Sequence, residues 1–279
     1  MKRKNTGLAM LVLAAVFMTA ACSPTGVNSK TGNSGSTAAE GASSGGTHYD
    51  LTLGTAASTG TYYVVGAAIA NEVNTKNPDL TVVAQTTNGG VENVNLCMSG
   101  EMDLGMTNAD AAYWSSHGGG SGFYEIYAEP GNVKGVMRLY ESQGHMITTA
   151  NSGIETYEDL RGKTVCLGPP SSTIPAMSIA ILEAYGINPD SDIKAVYYSI
   201  DEGLEKLTDG VIDATFFVAS APASGLTSAS ATSDLKFVDA GEEILKQVVE
   251  KYPYYTAAAT KEGAYPNMNS VNTLKIYTE

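Results

Sequence analysis

Ser99-Gly100-Glu101-Met102-Asp103-Leu104 and Asp209-Gly210-Val211-Ile212-Asp213-Ala214 follow one pattern. In each, a helical period stops at a glycine, an aspartate follows three residues later, and an apolar strand-like run begins. Outward from the first copy, residues 90–99 place Val91, Val94 and Met98 on one helical face, and residues 80–85 are β-rich. Residues 61–74 space Val65, Ile69 and Val73 four apart, Leu51-Thr52-Leu53 reads as a strand, and residues 103–106 as another. Outward from the second copy, residues 164–167 and 193–198 read as strands. Residues 173–185 read as a helix ending at Gly186, and Ser199-Ile200-Asp201-Glu202 as a capping box ahead of Leu204 and Leu207. Residues 214–218 close the unit as a strand. A βαβαβ order met twice predicts an α/β protein of two lobes, each a mainly parallel sheet flanked by helices. The boundaries expected are residues 48–144 for lobe I, 145–255 for lobe II, and 256–279 for an incomplete return to lobe I.

The N-terminus reads as an export signal. Lys2, Arg3 and Lys4 precede an apolar run over residues 7–21, too short to span a bilayer comfortably. Thr19-Ala20-Ala21-Cys22 resembles a bacterial lipoprotein box, which makes residues 1–21 the signal and Cys22 the lipidated residue, anchored to a membrane outside the cytoplasm. Residues 22–47 are Gly, Ser, Thr, Ala and Asn with almost no bulky apolar residue, the composition of a flexible tether. Removal of the signal takes the formal charge from −13 to −16. So acidic a chain argues against nucleic acid as partner. Besides Cys22 there are Cys97 and Cys166, read as free buried thiols with a disulfide as the alternative.

Catalytic patterns are sparse. The histidines are His48, His117 and His145, with no zinc spacing, no nucleophile elbow and no phosphate-binding loop. His117 and Gly118-Gly119-Gly120 read as loop. Asp103 and Asp213 fall at strand starts, away from where α/β sheets bind ligands. Those sites lie beyond the carboxyl ends of the strands, at helix N-termini. Five such loops can be named: Ser58-Thr59-Gly60-Thr61-Tyr62-Tyr63, Thr87-Asn88-Gly89-Gly90, Asn108, Ser171-Ser172-Thr173, and Phe217 to Ala219. Free backbone N–H groups and the helix dipole suit them to a small organic anion. Each is also ordinary capping vocabulary, and only their recurrence in two lobes favours a ligand. Tyr62, Tyr63, Tyr140 and Phe217 serve as pocket walls or as core; Arg138 serves a ligand carboxylate or a surface ion pair.

Leu53-Gly54-Thr55 with Ser58-Thr59-Gly60-Thr61-Tyr62-Tyr63 resembles the TAXI group of TRAP-transporter solute receptors. The likeness continues through Asn88-Gly89-Gly90-Val91-Glu92-Asn93, Asn108-Ala109-Asp110, Gly168-Pro169-Pro170-Ser171-Ser172 and Tyr252-Pro253-Tyr254-Tyr255. It covers about residues 49–266. The resemblance implies a type II periplasmic-binding-protein fold, no cofactor or metal, and a monomeric receptor that hands glutamate or a related dicarboxylate to a fused TRAP permease. It adds Asn93 to the ligand contacts. The alternatives are a binding protein feeding an ABC transporter or a sensor kinase and, further off, a secreted enzyme. Family members continue past Tyr265-Pro266 into a strand returning to the first lobe and further helices. A chain ending at Glu279 is therefore expected to leave an unpaired edge and exposed apolar surface on lobe I, and to be poorly stable.

Overall fold

The computed structural model describes residues 47–56, 58, 61–120, 125–126 and 128–279. The signal, most of the tether with Cys22, and the site residues Thr59 and Gly60 lie outside the described residues.

The first body is built from β1 (Tyr49–Gly54), α1 (Thr61–Lys76), β2 (Leu80–Gln85), α2 (Gly90–Ser99) and β3 (Leu104–Gly105). Its sheet runs β2-β1-β3 with every pair parallel. The register sets Leu51 beside Val82 and Leu53 beside Ala84 and Leu104. Alternation along the strands therefore puts these side chains on one face. There α1 closes a small core of Leu53, Ala70, Val82 and Met106. The other face meets α2 through Asn93. A Cβ on Gly54 would lie 2.6 Å from Asn93 Oδ1, so only glycine admits this approach. β2 is the open edge, where Val83 is 51% exposed.

Next come α3 (Ala109–His117) and a two-stranded antiparallel ladder, β4 (Gly119–Gly120) with β5 (Glu125–Ile126). The glycine run read as loop is thus partly a ladder. His117 is the last residue of α3, stacked on Tyr113 at 3.9 Å because the two are four residues apart on one helix face.

The second body holds β6 (Tyr140–Thr149), β7 (Thr164–Cys166), α4 (Ile174–Ala184), β8 (Lys194–Val196), α5 (Ile200–Thr208), β9 (Ala214–Ala219), α6 (Ser224–Thr232), β10 (Leu235–Val238), α7 (Glu242–Lys251), β11 (Thr256–Ala259) and β12 (Asn272–Thr278). Its seven-stranded sheet runs β11-β12-β6-β9-β7-β8, with β10 also on β6. β7, β8 and β9 are the expected parallel unit. The long β6 is the spine to which antiparallel strands are added. One edge carries β9; the other carries β12 along its first half and β10 along its second. Both faces are covered, so β9 reads Ala-Thr-Phe-Phe-Val-Ala and its first five residues are buried. Phe216 enters a core with Met146, Val165, Ile181, Leu245 and Ile276. Phe217 enters the opposite one with Ile147, Leu204, Leu226, Phe237 and Tyr265.

The repeated motif does the same work in both bodies. Gly100 and Gly210 end their helices at φ 75° and 71°. Asp103 then accepts from Thr52 N–H at 2.8 Å, and Asp213 from Thr164 N–H at 2.7 Å. Each carboxylate ties the start of one strand to its neighbour.

The expected boundary after Gly144 falls inside β6. Residues 256–279, expected to return to lobe I, are built into the second sheet instead, where β12 pairs with β6. Their last two residues pair with the loop after β3: Thr278 bridges Asn108, and Glu279 and Thr107 exchange backbone hydrogen bonds of 2.8 and 2.9 Å. Leu139 N–H bonds Thr278 C=O beside this point, so the strand entering the second sheet and the strand leaving it cross together.

Candidate functional site

Loops at the carboxyl ends of strands in both bodies meet. Asn108, which opens α3, does not cap its own helix. Its Oδ1 accepts from Tyr62 Oη at 2.6 Å and from Thr278 Oγ1 at 3.2 Å, and its Nδ2 donates to Thr173 Oγ1 at 2.8 Å. One amide thus joins the start of α1, the start of α3, the start of α4 and the end of β12. Beside it, Ser171 Oγ reaches Asn88 C=O at 3.4 Å. These two contacts link the bodies through residues that the sequence singled out.

A second polar knot lies wholly in the first body. Asn93 is fully buried and spends both amide hydrogens on Thr55 C=O and Met106 C=O, each at 2.7 Å. Thr87 Oγ1 donates to Asn93 Oδ1 at 2.7 Å and accepts from Gly89 N–H at 3.1 Å. Asn93 therefore organises the loops after β1, β2 and β3, and its donors are committed to backbone instead of a ligand. Gly90 packs on Thr107, where a Cβ would lie 2.8 Å from Thr107 Oγ1.

Other expected positions fall elsewhere. Phe217 is 3% exposed in the second core, because both faces of β9 are covered; it walls no cleft. Ala219 is half-buried at the end of β9. Ser58 and Thr61 are exposed, Tyr63 and Ser172 partly buried. Arg138 stacks over Tyr277 at 4.0 Å, outside these loops. Cys166 is buried and Cys97 half-buried, both free.

Asp110 was not singled out by its residue type, which is routine in the first turn of a helix. It is fully buried, with Oδ1 taking Ala111 N–H at 2.8 Å and Oδ2 taking Tyr255 Oη at 3.4 Å. Burial pushes its carboxyl up to about 7, against hydrogen bonds from Ala111, Tyr255 and Thr173 that hold it down. Tyr255 comes from the loop before β11, in the stretch 252–255. Tyr254 there accepts from Trp114 Nε1 at 3.3 Å.

Chemically, the site is rich in hydroxyl, amide and backbone N–H, with two carboxylates beside it, Glu92 in α2 and Glu101 just past the end of that helix. The first turn of α2 carries no hydrogen bond from a capping side chain, which leaves its N–H groups for an acceptor on a ligand, whereas in α3 Asp110 takes Ala111 N–H and in α4 Ser172 Oγ takes Ile174 N–H at 3.2 Å beside Pro175, which has none. A cavity of about 350 Å³ opens beside them, lined by α2 and Ser171. Among the described residues no group of three His, Cys, Asp or Glu is placed to hold a metal.

Two α/β bodies crossed twice by the chain, with strand-end loops facing each other, make a periplasmic-binding-protein-like fold. PhnD1 of Prochlorococcus marinus (MIT 9301), solved with methylphosphonate, shares it: TM-score 0.52 at 15% identity over 68% of this chain and 71% of that one. The periplasmic aliphatic sulphonate binding protein SsuA of Escherichia coli matches at TM-score 0.46 and 16% identity, over 68% of this chain. The present chain spans 56% of its length. A binding protein component of an ABC phosphonate transporter from Pseudomonas aeruginosa matches at TM-score 0.48 and 12% identity over 74% of each chain. Residues 53–276 match the NMT1-like family, and the chain belongs to it. Among the described residues no helix is long and apolar enough to cross a membrane.

Proposed function

We propose that this protein is an extracytoplasmic solute-binding protein, anchored through Cys22, whose two bodies act as lobes and hold a small organic anion between them for a membrane transporter. The observation that carries the reading is the meeting of Asn108 with Thr173 and of Asn88 with Ser171, which pairs the ligand-binding ends of two parallel units. The uncapped start of α2 favours a carboxylate or similar oxyanion, glutamate and dicarboxylates among them. For the transporter, an ABC-type partner agrees with the one named for the Pseudomonas protein. The TRAP permease rests on the sequence resemblance alone.

A thermal-shift screen of the full chain against amino acids, keto acids, dicarboxylates and phosphonates tests this. A ligand at 100 times its Kd stabilises by about 2.7 kcal/mol. Asn88→Ala and Ser171→Ala are expected to weaken the hit about tenfold or more with the unliganded Tm unchanged. Equal affinity in both variants removes the site.

A further inference from the structure

Asp110 is a carboxylate enclosed where the two bodies meet, and solute capture does not use it. Its neighbours come from every side. Tyr62 approaches from α1, Thr173 from α4, and Tyr254 and Tyr255 from the loop before β11. On its own helix the other ionisable groups are Tyr113 and the exposed His117. None of the ion pairs among the described residues involves Asp110. Thr173 and Tyr255 belong to the second body, so separation of the bodies hydrates the carboxyl and their meeting encloses it.

Resting on the two-lobe reading above, we infer that closure of the site is coupled to uptake of one proton by Asp110, so that the closed form is favoured in acid. A carboxylate with no cation beside it is enclosed more readily as the acid. The enclosed group titrates at about 7, against an ordinary 3.8 once hydrated. The closed-to-open ratio then rises about tenfold for each pH unit between pH 7 and pH 4 and is flat above that window.

Hydrogen exchange on the full chain without solute reads this ratio directly. Protection of the two amides that cross between the bodies, Thr107 N–H on Glu279 C=O and Glu279 N–H on Thr107 C=O, is expected to fall about tenfold per unit from pH 5 to pH 7, after correction for intrinsic exchange. The β9 amides serve as the reference for global unfolding and are expected to stay protected through these openings. In Asp110→Asn the protection of these two amides loses its pH dependence. Protection of these two amides that is flat with pH, that changes equally in Asp110→Asn, or that is lost only together with β9 overturns the coupling. Should Asp110→Asn not fold, the wild-type series with its β9 reference decides alone. No solute enters the experiment, so failure of every ligand screen would count against solute capture and leave this result standing.

Discussion

The two bodies share a βαβαβ unit and hold it together by different means. In the second, both sheet faces are apolar, and Phe216 and Phe217 point into separate cores. In the first, one face carries a small core around Leu53 and Val82, and the other meets α2 through the buried amide of Asn93, with Met102 and Cys97 packed beside it. Apolar burial is additive and forgiving of small movement. A polar tie is all or nothing, because a buried carbonyl without a donor is heavily penalised. The second body is thus the stable frame, and the first the part whose local opening is easier.

That contrast is open to direct attack. Phe216→Ala removes a ring at 1% exposure and should cost about 3–5 kcal/mol, read as a lower midpoint in urea for the whole chain. Val82→Ala, in the smaller core, should cost about 2 kcal/mol and show first as faster exchange in β1 and β2. Equal losses spread over the whole chain would make the two bodies one cooperative unit. Asn93→Ala takes the amide donor from Met106 C=O, while Thr55 C=O keeps Thr87 Oγ1 at 2.9 Å, and should cost about 1–3 kcal/mol while leaving β9 exchange unchanged. A smaller loss would mean that water replaces the amide and that the tie is not what fastens the face.

Local pattern carried much of this architecture. The periods over residues 61–74 and 90–99 and the doubled Gly-x-x-Asp motif are fixed by contacts a few residues long, and α2 falls on residues 90–99 as read. β6, β10, β11 and β12 escaped, since their partners are remote and their residues mix classes: Tyr140-Glu141-Ser142-Gln143-Gly144 has no clean alternation. The site was legible as loops but not as bonds. Asn108 was named at a strand end and Thr173 at a helix start, whereas their pairing depends on how two sheets meet. Phe217 looked like a cleft wall because β9 ends there; only the covering helices α5 and α6 make it core. Asp110 entered only within the Asn108-Ala109-Asp110 stretch of the family resemblance and gave no signal of its own, because an acidic residue in a first helical turn is commonplace.

The two bodies also answer pH with opposite sign. His145, 2% exposed in the second body, stacks on Phe237 at 4.3 Å, and burial lowers its imidazole to about 3 from 6.5. The unfolded chain takes up this proton below pH 6.5 and the folded chain does not. Its share of stability is therefore whole above pH 6.5 and lost toward pH 3, by about 1.4 kcal/mol per pH unit. Asp110 runs the other way: its folded value lies above the unfolded one, so its share is whole below pH 3.8 and lost as pH rises to about 7. Between pH 4 and 6.5 the two slopes offset, and urea midpoints of the native chain should be nearly flat. His145→Phe should uncover a rise in stability with acid, and Asp110→Asn a fall. Flat profiles in both variants would mean that neither group is enclosed as described. A change in one alone would show which body sets the pH response.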